Sequence, residues 1–234
     1  MRSAGRWGIH LSMPQALLLA LHLRDAAGLR PPVSADVPDL PPLDPPARPL
    51  GAGGTPPAGA EAAAQQWARW WAGAFPGGPD ALTSLLPPSF PGLRGMPELR
   101  GVAELGIDEA VAWAGRVRRL EERVLTRTPT ALFETTLLAR VERELGGHLR
   151  PFRLDVVVLP VAGAGAWETP AGPVVSLGLR ADRDAYLAWL REQLLRLGGA
   201  GGAGGAPARE REASPSAPPA PPSAPAPPEP GAGG

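Results

Sequence analysis

Three histidines, His10, His22 and His148, are the only imidazoles in this chain of 234 residues, and they are scattered along it. Glu144 and His148 have the i,i+4 spacing that would set two metal ligands on one helical face. Gly146-Gly147 ends the helix between them, and no third ligand is signalled. The absence of cysteine removes thiolate nucleophiles, disulfides and Cys-based zinc sites. No metal or cofactor is expected on these grounds.

Other chemistry-bearing patterns fail on their context. Val175-Ser176-Leu177-Gly178 lacks the first glycine of a GxSxG nucleophile motif, and the sequence signals no helix after it, so Ser176 reads as a strand serine. The run from Gly199 to Gly204 spells GxGxxG, but pyrophosphate binding needs a strand before that turn and a helix N-terminus after it. Here a helix precedes and a proline-rich tail follows. Gly163-Ala164-Gly165 does follow a strand, yet Trp167, Glu168 and two prolines stand where the third glycine and the helix belong. Paired carboxylates such as Glu121-Glu122 and Glu142/Glu144 sit beside arginines on helical faces, where ion pairing is the ordinary reading. No acid/base pair is singled out, and the expectation leans away from an enzyme.

Binding residues are better signalled than catalytic ones. Gln65 to Phe75 reads QQWARWWAGAF and holds three of the seven tryptophans. At 100° per residue Trp67, Trp70 and Trp71 share a sector of about 100°, with Arg69 on the opposite side. Burying all three removes about 450–750 Å² from water, about 11–19 kcal/mol gross at ~25 cal/mol per Å². Core packing is therefore favoured, and an aromatic groove for a partner helix or apolar ligand is the alternative. Trp167, at the glycine-rich tip of a link between two strands, either folds back onto the core or anchors a partner. Arg180 and Arg183, flanking the start of the last helix, suit an anion, although Asp182 and Asp184 are their nearest partners in sequence. PxxP steps in the tail, such as Pro215 to Pro218, lack a basic residue in register and read as a spacer.

Composition bounds the partners. All 23 basic residues are arginine and 23 acidic residues balance them, so no overall field favours nucleic acid or an anionic membrane. The heavy use of Arg, Gly, Pro and Ala points to a high-GC bacterial genome. Ala16 to Leu23 follows Arg2 and Arg6 as a signal segment would, but it is short, Arg24 and Asp25 follow at once, and no small-x-small site appears. It is also far below the ~20 apolar residues that span a bilayer. A cytoplasmic location is expected, with export as the alternative, and Met13 is an alternative start to Met1.

The elements that must position these residues follow from periodicity. Residues 1–12 carry no pattern. A helix over 13–28 is expected, with Ser12 as N-cap, Gln15 completing a capping box and Gly28 at the C-terminus; leucines at 17, 18, 19, 21 and 23 surround it and demand cover. Residues 29–57 form a proline/glycine-rich strap, in which Val33, Val37, Leu40 and Leu43 suit packing against a domain and Gly51 to Thr55 a flexible connector. After the tryptophan helix comes a turn-rich stretch from Pro76 to Pro97. A helix from Asp108 to Leu125 then carries the seam Ala110, Trp113, Val117, Leu120 and Val124.

A third core helix follows over 129–145, with Phe133, Leu137, Leu138, Val141 and Leu145 inward. Strand-like runs cover Leu149 to Val161 and Pro173 to Leu179; the link from Gly163 to Gly172 is short for a parallel crossover, so an antiparallel hairpin is expected. A final helix is capped by Asp182 and runs to Leu197. The resulting fold class is α+β: a mostly helical core domain over 58–198, with one antiparallel hairpin between the third and last core helices. Residues 199–234 lack an apolar face, and disorder is expected, since ordering that length costs about 35–70 kcal/mol of backbone entropy. The functional expectation is a non-enzymatic adaptor or accessory protein with a protein partner, without nucleic acid or a transmembrane segment. The alternative is a small-ligand binder or enzyme with a pocket beside the tryptophan helix.

Overall fold

A computed structural model describes residues 7–50, 59–127 and 130–198. The connector at Gly51 to Thr55, the GxGxxG run, the PxxP steps and the tail expected to be disordered lie outside the described residues. The architecture is mixed α+β. In chain order the elements are β1 (Gly8–Ser12), α1 (Gln15–Ala26), α2 (Ala60–Ala74), α3 (Pro79–Ser84), a 3-10 turn (Pro91–Leu93), α4 (Pro97–Arg127), α5 (Thr130–Leu145), β2 (Arg153–Leu159), β3 (Ala166–Thr169), β4 (Gly172–Ser176), α6 (Leu177–Ala181) and α7 (Arg183–Gly198). Among the described residues no helix is long and apolar enough to cross a membrane.

The leucine-ringed helix receives its cover. Every residue of α1 from Ala16 to Arg24 is buried, against α4, α2 and α3. Gly106 allows α4 to come this close, because a Cβ there would lie 2.9 Å from Leu23 Cδ2. Capping differs from expectation. Ser12 ends β1 instead of capping α1; Pro14 holds the cap position, with no side-chain hydrogen bond. Proline preorganises the helix entry without needing one. Gly28 does close the helix with φ of 62°.

Further helical structure appears beyond the expected boundaries. The stretch from Pro76 to Pro97 contains α3 and the 3-10 turn, and α4 begins at Pro97 rather than Asp108. Proline suits the first helical position, while Gly101 and Gly106 weaken the helical signal that follows it. In the seam of α4, Ala110, Trp113 and Val117 are buried but Leu120 faces solvent; on α5 and α7, Leu145 and Leu197 do the same. The strap docks through Val37, Leu40 and Leu43, with Val33 outside. Arg24 fixes it by donating to the carbonyls of Leu40 (3.1 Å) and Pro41 (2.9 Å), and Asp25 Oδ2 accepts from Leu43 N–H at 2.6 Å.

The sheet has four strands in the order β1-β2-β4-β3. β1, within the stretch read as unpatterned, pairs parallel with β2, Gly8 opposite Arg153 and Ser12 opposite Val157. Five residues with only Ile9 and Leu11 on the inner side are too few for alternation to declare itself. β2 and β4 are also parallel, so the expected antiparallel hairpin between them is corrected. The link supplies its own return strand, β3, antiparallel to β4 with Thr169 opposite Gly172. A strand running back makes the parallel return possible without a crossover helix. β4 stops at Ser176, which caps α6 by accepting from Leu179 N–H at 3.0 Å, so a helix does follow this serine and the strand does not reach Leu179.

Candidate functional site

The indole faces of α2 divide between core and surface. Trp67 and Trp71 are buried and stacked, with ring centroids 4.8 Å apart. Trp67 Nε1–H donates to the carbonyl of Ala20 at 2.7 Å, which ties α2 to α1. Trp70 is also buried but lies at the margin, where its Nε1–H donates to Ser84 Oγ at 3.0 Å and that hydroxyl donates to Ala81 O at 2.6 Å. Gly92 backs this contact, since a Cβ there would lie 2.3 Å from Ser84 Cβ.

From Trp70 outward the surface is concave. A depression of about 500 Å³ lies between the C-terminal turn of α2 and α3, walled by Trp70, Ala74, Phe75, Ala81 and Met96, with Arg69 and Asp80 supplying charge of both signs. A second, of about 410 Å³, lies on the outer face of the sheet between His10, Ser12, Arg153, Asp155 and the turn Pro76-Gly77-Gly78. The two share Pro76 and Gly78. A third, of about 210 Å³, shares Phe75 with the first and Ala171 with the second. The turn from Phe75 to Gly78 thus contributes to the walls of all three depressions. Gly77 makes that turn at φ of 90°, with Pro14 so close that a Cβ would lie 2.5 Å from its Cβ.

Ser12, His10 and Asp155 in one depression are the residue types of a hydrolytic triad, but their geometry is that of an ion pair. Arg153 holds both oxygens of Asp155, at 2.7 and 2.9 Å, and this bonding keeps the Asp155 carboxyl below its usual range. His10 Nδ1 is 3.8 Å from Asp155 Oδ1, beyond hydrogen-bond reach. The carboxylate is therefore committed to the guanidinium and does not orient the imidazole as a base. Ser176, at a strand-to-helix junction, is fully buried, and its Oγ accepts from both Leu179 N–H and Gly165 N–H, a structural cap. Among the described residues no three His, Asp or Glu side chains gather as a metal ion requires.

The remaining site residues fall elsewhere. Trp167 lies on β3, half-buried against the core with its ring over Gly165. Glu168 beside it accepts from Gln193 and Arg196 at 3.1 and 2.9 Å. Arg180 is buried and faces Glu134 at 3.8 Å and the Tyr186 ring at 4.2 Å, rather than pairing with Asp182. Asp182 instead caps α7 by accepting from Ala185 N–H, as its sequence position implies. Arg183 lies 3.7 Å over the Phe133 ring rather than on Asp184. His148 Nδ1 approaches Glu142 at 3.3 Å, not Glu144.

No family model, no curated protein and no solved structure matches this chain.

Sequence reasoning missed the Phe75–Gly78 wall, His10 and the Arg153–Asp155 pair. The first has a usable signal: Phe-Pro-Gly-Gly directly after an aromatic helix sets a tight turn beside apolar side chains. The second depression had none, because β1 and β2 meet across about 145 residues of chain.

Proposed function

We propose that this chain is a non-enzymatic interaction module that receives an extended segment of a partner protein in the groove around Phe75–Gly78. The observation that carries the reading is the shared wall: three open depressions lie next to one another around Phe75, Pro76, Gly78 and Ala171, a track of successive hollows. An extended chain sends alternate side chains to one face, and such a track accepts them in successive hollows. The apolar walls of Trp70, Ala74 and Met96 suit aliphatic or aromatic side chains, and Arg69, Asp80, Arg153 and Asp155 suit a polar rim.

The edge position of β1 supports the same reading. Gly8 N–H donates to Phe152 O, so the alternation of a parallel strand turns the backbone groups of Ile9 and Leu11 away from β2. They offer main-chain partners at the margin of the depression that His10 and Ser12 line. A small-molecule reading is less well supported, because the depressions are open and, among the described residues, no buried polar set converges on them.

Selection of displayed random peptides against the full chain tests this. Enriched peptides are expected to bind the wild type and a Leu105→Arg control on the exposed face of α4, and to lose binding to Ala81→Trp, which fills the groove. Equal binding to Ala81→Trp by a variant that still unfolds cooperatively sinks the proposal, as does failure to enrich any peptide.

A further inference from the structure

We infer a second site, between α5 and α7, that takes a small organic carboxylate with an aromatic or branched apolar body. It is independent of the groove around Phe75–Gly78. A cavity of about 250 Å³ is lined there by Phe133, Thr136, Leu137, Arg140, Arg183 and Leu187. Three walls are apolar, and two of the six lining residues are arginines.

Charge complementarity selects the occupant. Arg180, Arg191 and Arg196 each have a carboxylate within 4 Å, namely Glu134, Glu144 and Glu168. Arg140 and Arg183 have none among the described residues, and both face solvent at the mouth of the cavity. The Arg183 guanidinium carbon lies 3.7 Å over the Phe133 ring, a cation–π contact that keeps the charge beside the apolar wall. A guanidinium offers a planar fork of N–H donors that matches a carboxylate.

The surroundings reinforce the positive field. Arg180, three residues before Arg183, is buried with Nε and Nη2 lacking hydrogen-bond partners. Glu134, its counter-charge, already accepts a hydrogen bond from Tyr186 at 3.0 Å. Arg180 thus adds a third guanidinium near the start of α7, and its one close carboxylate is already engaged. An anion whose apolar body enters among Phe133, Leu137 and Leu187 meets both the charge and the shape. A neutral apolar ligand leaves the two arginines unused, and a free inorganic anion leaves the apolar walls in water.

The test uses naphthalene-2-carboxylate and its neutral carboxamide as probes on the full chain, by isothermal titration. The carboxylate is expected to bind saturably and the carboxamide about tenfold more weakly. Arg140→Gln and Arg183→Gln are each expected to weaken the carboxylate about tenfold, Leu187→Trp to abolish binding by filling the cavity, and Ala81→Trp to leave it unchanged. Circular dichroism of each variant establishes that it is folded. Equal affinity for acid and amide, unaltered binding to a folded Arg140→Gln/Arg183→Gln double variant, loss on Ala81→Trp, or no saturable binding overturns the site. Leu187→Ala, which enlarges the cavity without filling it, keeps the test decisive should Leu187→Trp fail to fold: it is expected to retain the preference for acid over amide, and equal affinity there counts against the site.

Discussion

Replacing His22 with leucine probes an unusual buried group. His22 is fully enclosed on α1, 5.3 Å from the Trp113 ring, and neither ring nitrogen has a hydrogen-bond partner. Burial is the main cause that holds its pKa below 6.5, with Glu109 and Asp25 opposing and Arg116 assisting. The folded state therefore resists protonation that the unfolded chain accepts. Unfolding stability falls as pH drops below the unfolded value, by up to about 1.4 kcal/mol per pH unit, until the folded value is reached.

Between about pH 8 and about pH 5.5 the loss is at most about 1.4 kcal/mol. His22→Leu should remove that slope, and should add about 1–3 kcal/mol at neutral pH because an unpaired buried polar group is gone. The carboxyls of Glu121 and Glu134 are pushed up, mainly by burial. Their contribution is present below the unfolded carboxyl value and is lost as pH rises through the folded one. That slope is opposite in sign but common to both proteins, so it cancels in the comparison. Urea unfolding followed by tryptophan emission at the two pH values measures the difference directly. Parallel pH dependence in wild type and variant would refute the reasoning.

Three more perturbations follow from the packing. Trp71→Ala removes a stacked core indole and should cost about 3–5 kcal/mol, read as a lower urea midpoint; a cost below 1 kcal/mol contradicts the core assignment. Arg24→Ala should free the strap at a cost of about 1.5–3 kcal/mol and speed amide exchange at Leu43, and Arg24→Lys should not restore it, because an ammonium cannot serve the Leu40 and Pro41 carbonyls as a fork does. Gly178→Ala places a Cβ 2.4 Å from the Gly163 carbonyl oxygen, backbone that cannot swing aside, and should destabilise by about 1–3 kcal/mol in thermal unfolding; an unchanged midpoint contradicts a close approach of α6 to the link at Gly163.

The candidate sites were legible in proportion to how local they are. The apolar sector of α2 follows from spacing alone, and the core reading of Trp67 and Trp71 with it. That Trp70 would border a groove did not, because α3 and the turn at Phe75–Gly78 supply the other wall. Arg183 was marked as an anion residue, yet its partner there, Arg140, is on a different helix and carries no sequence sign. Ser12 was misassigned as an N-cap, and Ser176, the strand serine expected, also caps α6, for one reason: a short polar side chain fits either role, and the neighbouring backbone decides which.

What the sequence determined by itself is the set of apolar faces: the enclosed α1, the tryptophan side of α2, the buried half of β2, the docked strap residues and the Asp182 cap. These depend on periods of 3.6 and 2 and on hydrogen bonds within four residues, all local properties of the chain. Only the tertiary structure decided what covers each face. The parallel pairing of β1, β2 and β4, the glycine contacts at Gly106 and Gly178, and the separation of Arg180 from Arg183 depend on chain paths between distant segments. A period states that a face must be buried, whereas the direction and identity of its neighbour are set by loop geometry and by which distant surfaces fit together.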